Sequence, residues 1–306
     1  MVRSVLLFAA VLYAGIVNAG LPAPTVEKIN DRVYALLGPI GVPSPDNQGY
    51  MVNSVLIVGE RGAILVDTGF TDAIGRQLRA TVEGITDKPV THVINTHHHG
   101  DHHLGNTAFP QAEIISSEKA RELVVSTEAE WISLVEELTG MEFPDTHAVP
   151  AQRTVPADSR SAVTLAGVDL VLWAPQGSHT PGDLMVLLPE DRVLVGGDIL
   201  VHEMMPNFRD GHVKSWIDTL EAVTRTDVDV IVPGHGPLMT PQDAAAMHRR
   251  MAALYAGVEE GFNEGLQPYE IRQRLDLGEW ERLPHFEDMM GGNLSRTYLE
   301  VEQANF

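Results

Sequence analysis

Four short apolar runs of this chain each lead into a histidine or an aspartate that has glycine or proline within three positions. Val90–Thr96 leads to His97, Val168–Ala174 to His179, Val193–Val195 to Asp198 and Val228–Val232 to His235. Short runs that are rich in Val and Ile and end at Gly or Pro are typical of buried strands. The four polar groups can therefore meet on one rim of a sheet core, which limits the chain to folds in which these strand ends share an edge.

The segment between Thr96 and Leu104 concentrates the metal-binding chemistry. It places five histidines and one aspartate in seven positions, from His97 to His103. Read as His-x-His-x-Asp-His, it offers four ligands: His97, His99, Asp101 and His102. Imidazole suits zinc, and a nearby carboxylate completes a site or helps to activate a bound water. The further candidates at His179, Asp198 and His235 argue against an accidental surface histidine tract.

These motifs resemble those of the metallo-β-lactamase-fold superfamily of metallohydrolases. The resemblance covers roughly residues 28–239 and begins with Leu65-Val66-Asp67-Thr68-Gly69, followed by the His-rich segment and the other ligands in family order. It implies an α/β (α+β) fold, a four-layer αββα sandwich. It also implies the ligand sets: His97, His99 and His179 for one metal, Asp101, His102 and His235 for a second, with Asp198 bridging them. Asp67 would be a buried residue that orders the His-rich segment.

The same resemblance implies a binuclear zinc-dependent hydrolase. A metal-bound hydroxide would attack an ester, thioester, lactone or lactam-type substrate, with two zinc ions per chain and iron or manganese as alternative metals. Asp101 is the expected catalytic residue, because its carboxylate can steer the hydroxide and pass a proton to the leaving group. A weaker resemblance, which includes Asn47-Gln48-Gly49-Tyr50 and Asp87-Lys88-Pro89-Val90, is to exported zinc metallohydrolases of sulfur-oxidation and quinoprotein-relay systems.

Two other functions are compatible with these ligands. One is a mononuclear iron oxidoreductase similar to the persulfide dioxygenases, which keep His-x-His-x-Asp-His but hold one iron with two His and one Asp. The other is a non-catalytic metal-binding or partner-binding protein. Some lactamase subclasses place a cysteine at the position of Asp198, so the carboxylate here is more similar to the glyoxalase II and lactonase branches.

The composition of the chain limits the classes of binding partner and the types of catalytic group. The formal net charge of −21 argues against nucleic acid and anionic membrane surfaces as partners. The resemblance to metallohydrolases implies a small-molecule substrate. The chain contains no cysteine, which excludes a thiol nucleophile and a thiolate metal ligand. It also shows no Gly-x-Ser-x-Gly motif of the kind that supports a serine hydrolase.

The first residues are typical of a cleavable secretory signal. A basic start, Met1-Val2-Arg3, precedes an apolar run, Ser4–Val17, that is too short to span a bilayer comfortably. We therefore expect residues 1–19 to be removed and the protein to be exported, to the periplasm in a Gram-negative bacterium and otherwise to the medium, without a membrane span. Residues 20–306 are predicted to form one domain with a helical extension at about 262–306. The sequence does not predict an oligomeric state.

Two parts of the chain are candidates for the substrate pocket. Helical spacing predicts one long helix over Glu118–Leu138, in which Trp131 either contacts substrate or belongs to an apolar stripe that packs on the sheet. The loop Val201–Gly211, which follows Asp198, should border the site, with His202 and Asn207 as candidates for substrate contact.

Overall fold

The computed structural model of the protein describes residues 20–305. The predicted secretory signal, residues 1–19, lies outside the described residues. Among the helices formed by residues 20–305, none has the length and apolar character needed to cross a membrane.

The strands of the described chain form two sheets. The first contains β1 (Thr25–Lys28), β2 (Val33–Leu37), β3 (Ser54–Val58), β4 (Ala63–Val66), β5 (Val90–Ile94), β6 (Glu113–Ser117) and β7 (Arg153–Val155) in that spatial order. The second contains β8 (Ser159–Leu165), β9 (Val168–Ala174), β10 (Met185–Leu188), β11 (Val193–Val201) and β12 (Val230–His235), also in chain order. Both sheets begin with antiparallel pairs. Parallel pairs follow, β4 with β5 in the first sheet and β11 with β12 in the second.

The helices cover the outer face of each sheet. They are α1 (Asp72–Ile85), α2 (Gly100–His103), α3 (Glu118–Ser126), α4 (Glu128–Thr139), α5 (Val213–Thr224), α6 (Pro241–Asn263), α7 (Pro268–Arg272) and α8 (Phe286–Ala304), with 3₁₀ turns at Leu104–Ala108 and Gly278–Arg282. The prediction of one helix over Glu118–Leu138 is wrong, because the helix is interrupted at Thr127. The Thr127 hydroxyl donates to the Leu123 carbonyl at 2.8 Å, and its backbone leaves the helical region at φ −109° and ψ 5°.

Three apolar layers hold these elements together. Between the sheets, side chains such as Val55, Ile64 and Val66 meet Leu170, Leu172 and Val186. Outside the first sheet, Ile74 and Leu78 of α1 and Val135 of α4 cover the strands. Outside the second sheet, Trp216 of α5, Met251 of α6 and Leu294 of α8 do the same. The predicted four-layer αββα sandwich is therefore confirmed.

Two parallel connections bring polar residues to one edge of the sandwich. Helix α1 connects β4 to β5, and α5 connects β11 to β12. Because parallel strands end at the same edge of a sheet, Asp67 after β4 lies near the segment that follows β5. The predicted strands end too early at two ligands: β11 continues through Asp198 to Val201, and His235 is the last residue of β12, so neither lies beyond its strand. The pairing of β11 with β12 shifts register on both sides of Gly197, so a bulge turns this part of the strand toward the site.

Candidate metal centre

The side chains predicted as metal ligands converge in one buried cluster. It contains His97, His99, Asp101, His102, His179, Asp198 and His235, and none of them is more than 9% exposed. Ligand atoms of one group lie within 4.8 Å of one another: His97, His99, His179 and Asp198. The same holds for a second group of Asp101, His102 and His235. The first sheet and its loops supply the His-rich segment, and the second sheet supplies the other three residues.

Asp198 lies between the two groups of ligands. Its Oδ2 atom is 3.9 Å from Nε2 of His97 and 3.5 Å from Nε2 of His179. Its Oδ1 atom is 3.3 Å from Nε2 of His102 and 3.4 Å from Nε2 of His235. Each carboxylate oxygen therefore faces a different group of ligands.

Several polar atoms of the cluster are buried and form no hydrogen bond. Within residues 20–305, these include Nε2 of His97, Nε2 of His102 and Oδ1 of Asp198. An unsatisfied buried polar atom costs roughly 1–3 kcal/mol, so a native cluster of them indicates a bound partner. Imidazole and carboxylate donors suit divalent metals such as zinc, and the residues therefore fit a divalent metal ion.

The charges of the cluster also favour a cation. Burial lowers the pKa of His179 to about 3 and holds that of His97 well below its usual range, so both rings are neutral near pH 7 and able to bind metal. Burial opposes a charge on His235, but the carboxylates of Asp198 and Asp101 raise its pKa to about 10. The same carboxylates that attract this proton would attract a metal ion in its place.

Two of the ligand rings are held by hydrogen bonds on the side away from the cluster. Nδ1 of His102 lies 2.8 Å from Oδ2 of Asp67. The Asp67 carboxylate also accepts from N and Oγ1 of Thr96, both at 2.8 Å, and thereby fixes the start of the His-rich segment. Nδ1 of His235 lies 3.1 Å from the carbonyl oxygen of Met51. Such contacts set the orientation and tautomer of a metal-binding histidine. Asp67 has a φ of 59°, which a non-glycine residue keeps only when its surroundings hold it there.

Asp210 is a residue of the site that no sequence motif indicates. His99 turns Nδ1 to within 3.1 Å of Nε2 of His179, on the metal side. Its Nε2 lies 3.0 Å from Oδ2 of Asp210, 111 positions away in the chain. Asp210 therefore holds His99 so that Nδ1, and not Nε2, faces the other ligands. Because this contact joins a loop of the second half to the His-rich segment, only the tertiary structure reveals it.

A cavity of about 190 Å³ lies over the ligands. Its floor contains side chains of both ligand groups, and its walls are mainly apolar: Val42, Pro43, Phe70, Trp131, Leu134, Leu138, Met204, Met205 and Met289. The guanidinium of Arg209 lies 5.2 Å from the centre of the Trp131 ring at this wall. The cavity thus offers an apolar surface and a cation beside the metal-binding groups.

Trp131 both packs in the apolar stripe of its helix and lines the cavity, the two positions considered for it from the sequence. It packs with Val135 in the apolar layer outside the first sheet and is only 7% exposed. Its ring also lines the cavity, with its centre 4.8 Å from that of the His99 ring. The helix stripe and the pocket wall are therefore the same surface.

The two candidates in the loop after β11 lie in different places. Asn207 lines the cavity. His202 does not, which corrects its assignment to the substrate pocket: its Nδ1 lies 3.2 and 3.1 Å from the carbonyl oxygens of Pro237 and Leu238, in a neighbouring cavity. The His202 amide donates to the carbonyl of His235 at 3.1 Å. This bond continues the pairing with β12 for one residue, and the side chain faces away from the metal ligands.

Gly234 provides a first test of this geometry. A Cβ at this position would lie 2.0 Å from Oδ1 of Asp198, so the carboxylate would have to move. We expect Gly234→Ala to lower zinc affinity at least about tenfold, as loss of support around metal ligands does. Competition with a chromophoric chelator measures the affinity. Gly84→Ala, on the exposed side of α1 with nothing within 4 Å, is the control. Wild-type affinity in Gly234→Ala would contradict the placement of Asp198.

Comparison with known proteins agrees with this site. The family model of the metallo-β-lactamase superfamily matches residues 47–235. A linear primary-alkylsulfatase from a Pseudomonas species is 26% identical over 264 residues, which cover 72% of this chain and 49% of that protein. A type 2 metallo-β-lactamase from Bacillus cereus is 26% identical over 191 residues, which cover 60% of this chain and 66% of that protein. The chain therefore spans about half to two thirds of the length of these curated relatives.

Solved structures share the fold. The sec-alkylsulfatase Pisa1 from a Pseudomonas species superposes with a TM-score of 0.68 at 19% identity, over 90% of this chain and 50% of that chain. The metallo-β-lactamase FIM-1 from Pseudomonas aeruginosa, in its mono-zinc form, gives 0.60 at 19% identity over 76% and 96%. The matched family region covers more than half of the chain and contains every predicted ligand from His97 to His235. On this evidence the chain belongs to the metallo-β-lactamase superfamily.

Proposed function

We propose that the protein is a binuclear zinc-dependent hydrolase. The observation that carries the proposal is the orientation of Asp198, whose two oxygens face two separate groups of histidines. The chain has no cysteine, so a zinc pair would be bound through imidazole nitrogens and carboxylate oxygens. When bound at these residues, such ions would supply Lewis-acid chemistry, which polarises a scissile group and lowers the pKa of a water.

Asp101 is the residue proposed to transfer a proton to the leaving group. Its Oδ2 lies 3.1 Å from Nε2 of His235 and 3.4 Å from Nε2 of His102, and it lines the floor of the cavity. Burial opposes its ionisation, but His102 and His235 hold the pKa of this carboxyl well below its usual range. The ionised carboxylate can orient a water and carry a proton to the leaving group. Ser178 is not needed as a nucleophile, since its hydroxyl donates to Oγ1 of Thr219 at 2.9 Å.

The shape of the cavity supports a substrate with an apolar chain attached to an ester, thioester, lactone or lactam-type group. Val42 and Leu138 line the cavity and are also 37% and 42% exposed, so an apolar path leads from the metal ligands to the surface. A sulfate ester is the second candidate. It is favoured by the Arg209 guanidinium at the cavity wall and by the similarity to a linear primary-alkylsulfatase.

A substrate panel combined with metal analysis tests the proposal. Zinc-loaded protein is assayed with nitrophenyl esters and thioesters of increasing chain length, alkyl sulfates, a lactone and a chromogenic lactam. We expect two zinc ions per chain and a kcat/KM that rises with chain length, by up to about fourfold per buried methylene. Leu138→Asn should reduce this dependence, and Val125→Asn, which is 59% exposed and outside the cavity, should leave it unchanged.

The outcome separates the competing functions. One iron per chain with oxygen consumption would support the persulfide dioxygenase-like alternative. Full metal loading without turnover of any substrate would support a non-catalytic metal-binding or partner-binding protein. Either result would overturn the hydrolase.

Export is a second part of the proposal and rests on the sequence of residues 1–19 alone. N-terminal sequencing of the protein recovered from its native cells tests it. A mature start near Gly20 is the expected result, and retention of Met1 in the accumulated protein would contradict export through a cleaved signal.

A further inference from the structure

We propose that α8 supports the metal centre by positioning the loop that carries Asp210, the residue whose carboxylate contacts His99. The inference rests on the proposed metal-dependent function. Helix α8 lies outside residues 47–235, the region matched by the family model, and it contributes no metal ligand. Its role follows from hydrogen bonds to the loop between β11 and α5.

Asn293 holds the part of the loop that precedes Asp210. Its Nδ2 donates to the carbonyl of Pro206 at 2.7 Å, and its Oδ1 accepts from the amide of Phe208 at 2.9 Å. The side chain is 2% exposed, and these two bonds give both its amide nitrogen and its amide oxygen a partner. Asn293 therefore fixes two peptide groups just before the aspartate.

Arg296 and Glu300 hold the part of the loop that follows. Nε of Arg296 donates to the carbonyl of Gly211 at 2.8 Å. The Glu300 carboxylate accepts from the amides of Val213 and Lys214 at 2.7 and 2.8 Å, in the first turn of α5. Such amides have no partner within their own helix and carry partial positive charge, so the carboxylate fixes the point at which α5 begins.

These three residues of α8 form one polar face. Their spacing of three and four positions places them on the same side of the helix. On that side they bond to backbone groups of the loop, and α8 also packs through its apolar residues Met290, Leu294 and Val301. The loop is thus anchored to a rigid element on both sides of Arg209 and Asp210.

The position of Asp210 depends on this anchoring. Its side chain is 33% exposed, so burial alone does not hold it in place. Its hydrogen-bond partners are His99 at 3.0 Å and Arg209, whose Nε and Nη2 each lie 3.3 Å away. A shift of the loop backbone would separate Asp210 from His99 and release the ring that presents Nδ1 to the metal site. Helix α8 therefore contributes to metal affinity from a distance.

The test measures zinc affinity in three single variants. Asp210→Asn, which weakens the contact with His99, and Asn293→Ala should each lower the affinity about tenfold, as loss of a residue that supports a ligand does. Ser295→Ala is the matched control, since Ser295 is exposed on the same helix and its hydroxyl bonds to Gly291 at 2.9 Å. Chelator competition gives the affinity without any substrate, so the result is independent of whether hydrolysis is found.

A double variant separates positioning from simple stability. If Asn293 acts through Asp210, Asn293→Ala combined with Asp210→Asn should bind zinc about as well as Asp210→Asn alone. A lower melting temperature with wild-type zinc affinity in Asn293→Ala would overturn the proposal, as would losses that add in the double variant. If Asn293→Ala fails to fold, Arg296→Ala replaces it, since Arg296 is only half-buried. Its zinc affinity is then measured alone and combined with Asp210→Asn, with the same expected and contradicting results.

Discussion

Asp101→Asn is expected to lower kcat by about 10²–10⁴-fold at saturating zinc, because that is the usual contribution of general acid–base catalysis. The substitution keeps the shape of the side chain and one oxygen for the metal, but removes the charge and the titrating proton. A change confined to the reacting step lowers kcat more than it raises KM. Initial-rate measurements over a range of substrate concentrations provide both constants.

The leaving group provides the control for this prediction. Substrates whose leaving groups depart without protonation should lose much less activity in Asp101→Asn than those with poor leaving groups. Asp87→Asn, an exposed carboxylate before β5, should behave like the wild type. Recovery of full activity on addition of excess zinc would show that Asp101 acts only as a ligand.

In the proposed binuclear zinc enzyme, Asp198→Ala should reduce the zinc content from two ions per chain toward one and abolish most of the activity. Asp198 is the carboxylate that faces both groups of histidines, so its removal would leave two bound cations to repel each other with no anion between them. Metal analysis after removal of free zinc measures the content, and circular dichroism reports on the fold. We expect a near-native spectrum, since Asp198 contacts ligands and not the apolar layers. Two retained zinc ions would show that Asp198 does not bridge.

The two ligand groups depend on both halves of the sandwich. The His-rich segment follows β5 of the first sheet, and the residues that complete the site come from the second sheet. Asn53, beside β3, joins the halves at this edge, since its Nδ2 donates to the carbonyls of Pro233 and Gly236 at 3.0 and 2.8 Å. The site is therefore formed only when the two sheets pack together.

Local sequence patterns were sufficient for the strand ends and the ligand candidates, and the family resemblance carried by those motifs implied the αββα sandwich. Apolar runs of strand length, each followed by His or Asp, indicate which residues reach the edge of a sheet, and the confirmed αββα sandwich agrees with that pattern. The His-x-His-x-Asp-His spacing predicts ligands because it places several donors within one short segment, here α2 and the three residues before it, His97 to His99. Both signals lie within a few positions of the residues concerned, so they can be read without the tertiary structure.

Only the tertiary structure decided how these residues are oriented and supported. Asp198 lies inside β11 next to the bulge at Gly197, with one oxygen facing each ligand group. The contact of His99 with Asp210 spans 111 positions, and that of Asn293 with Phe208 spans 85. Single hydrogen bonds between distant segments leave no periodicity or spacing in the chain. They depend on the packing of whole sheets and helices, which brings together residues that the sequence keeps far apart.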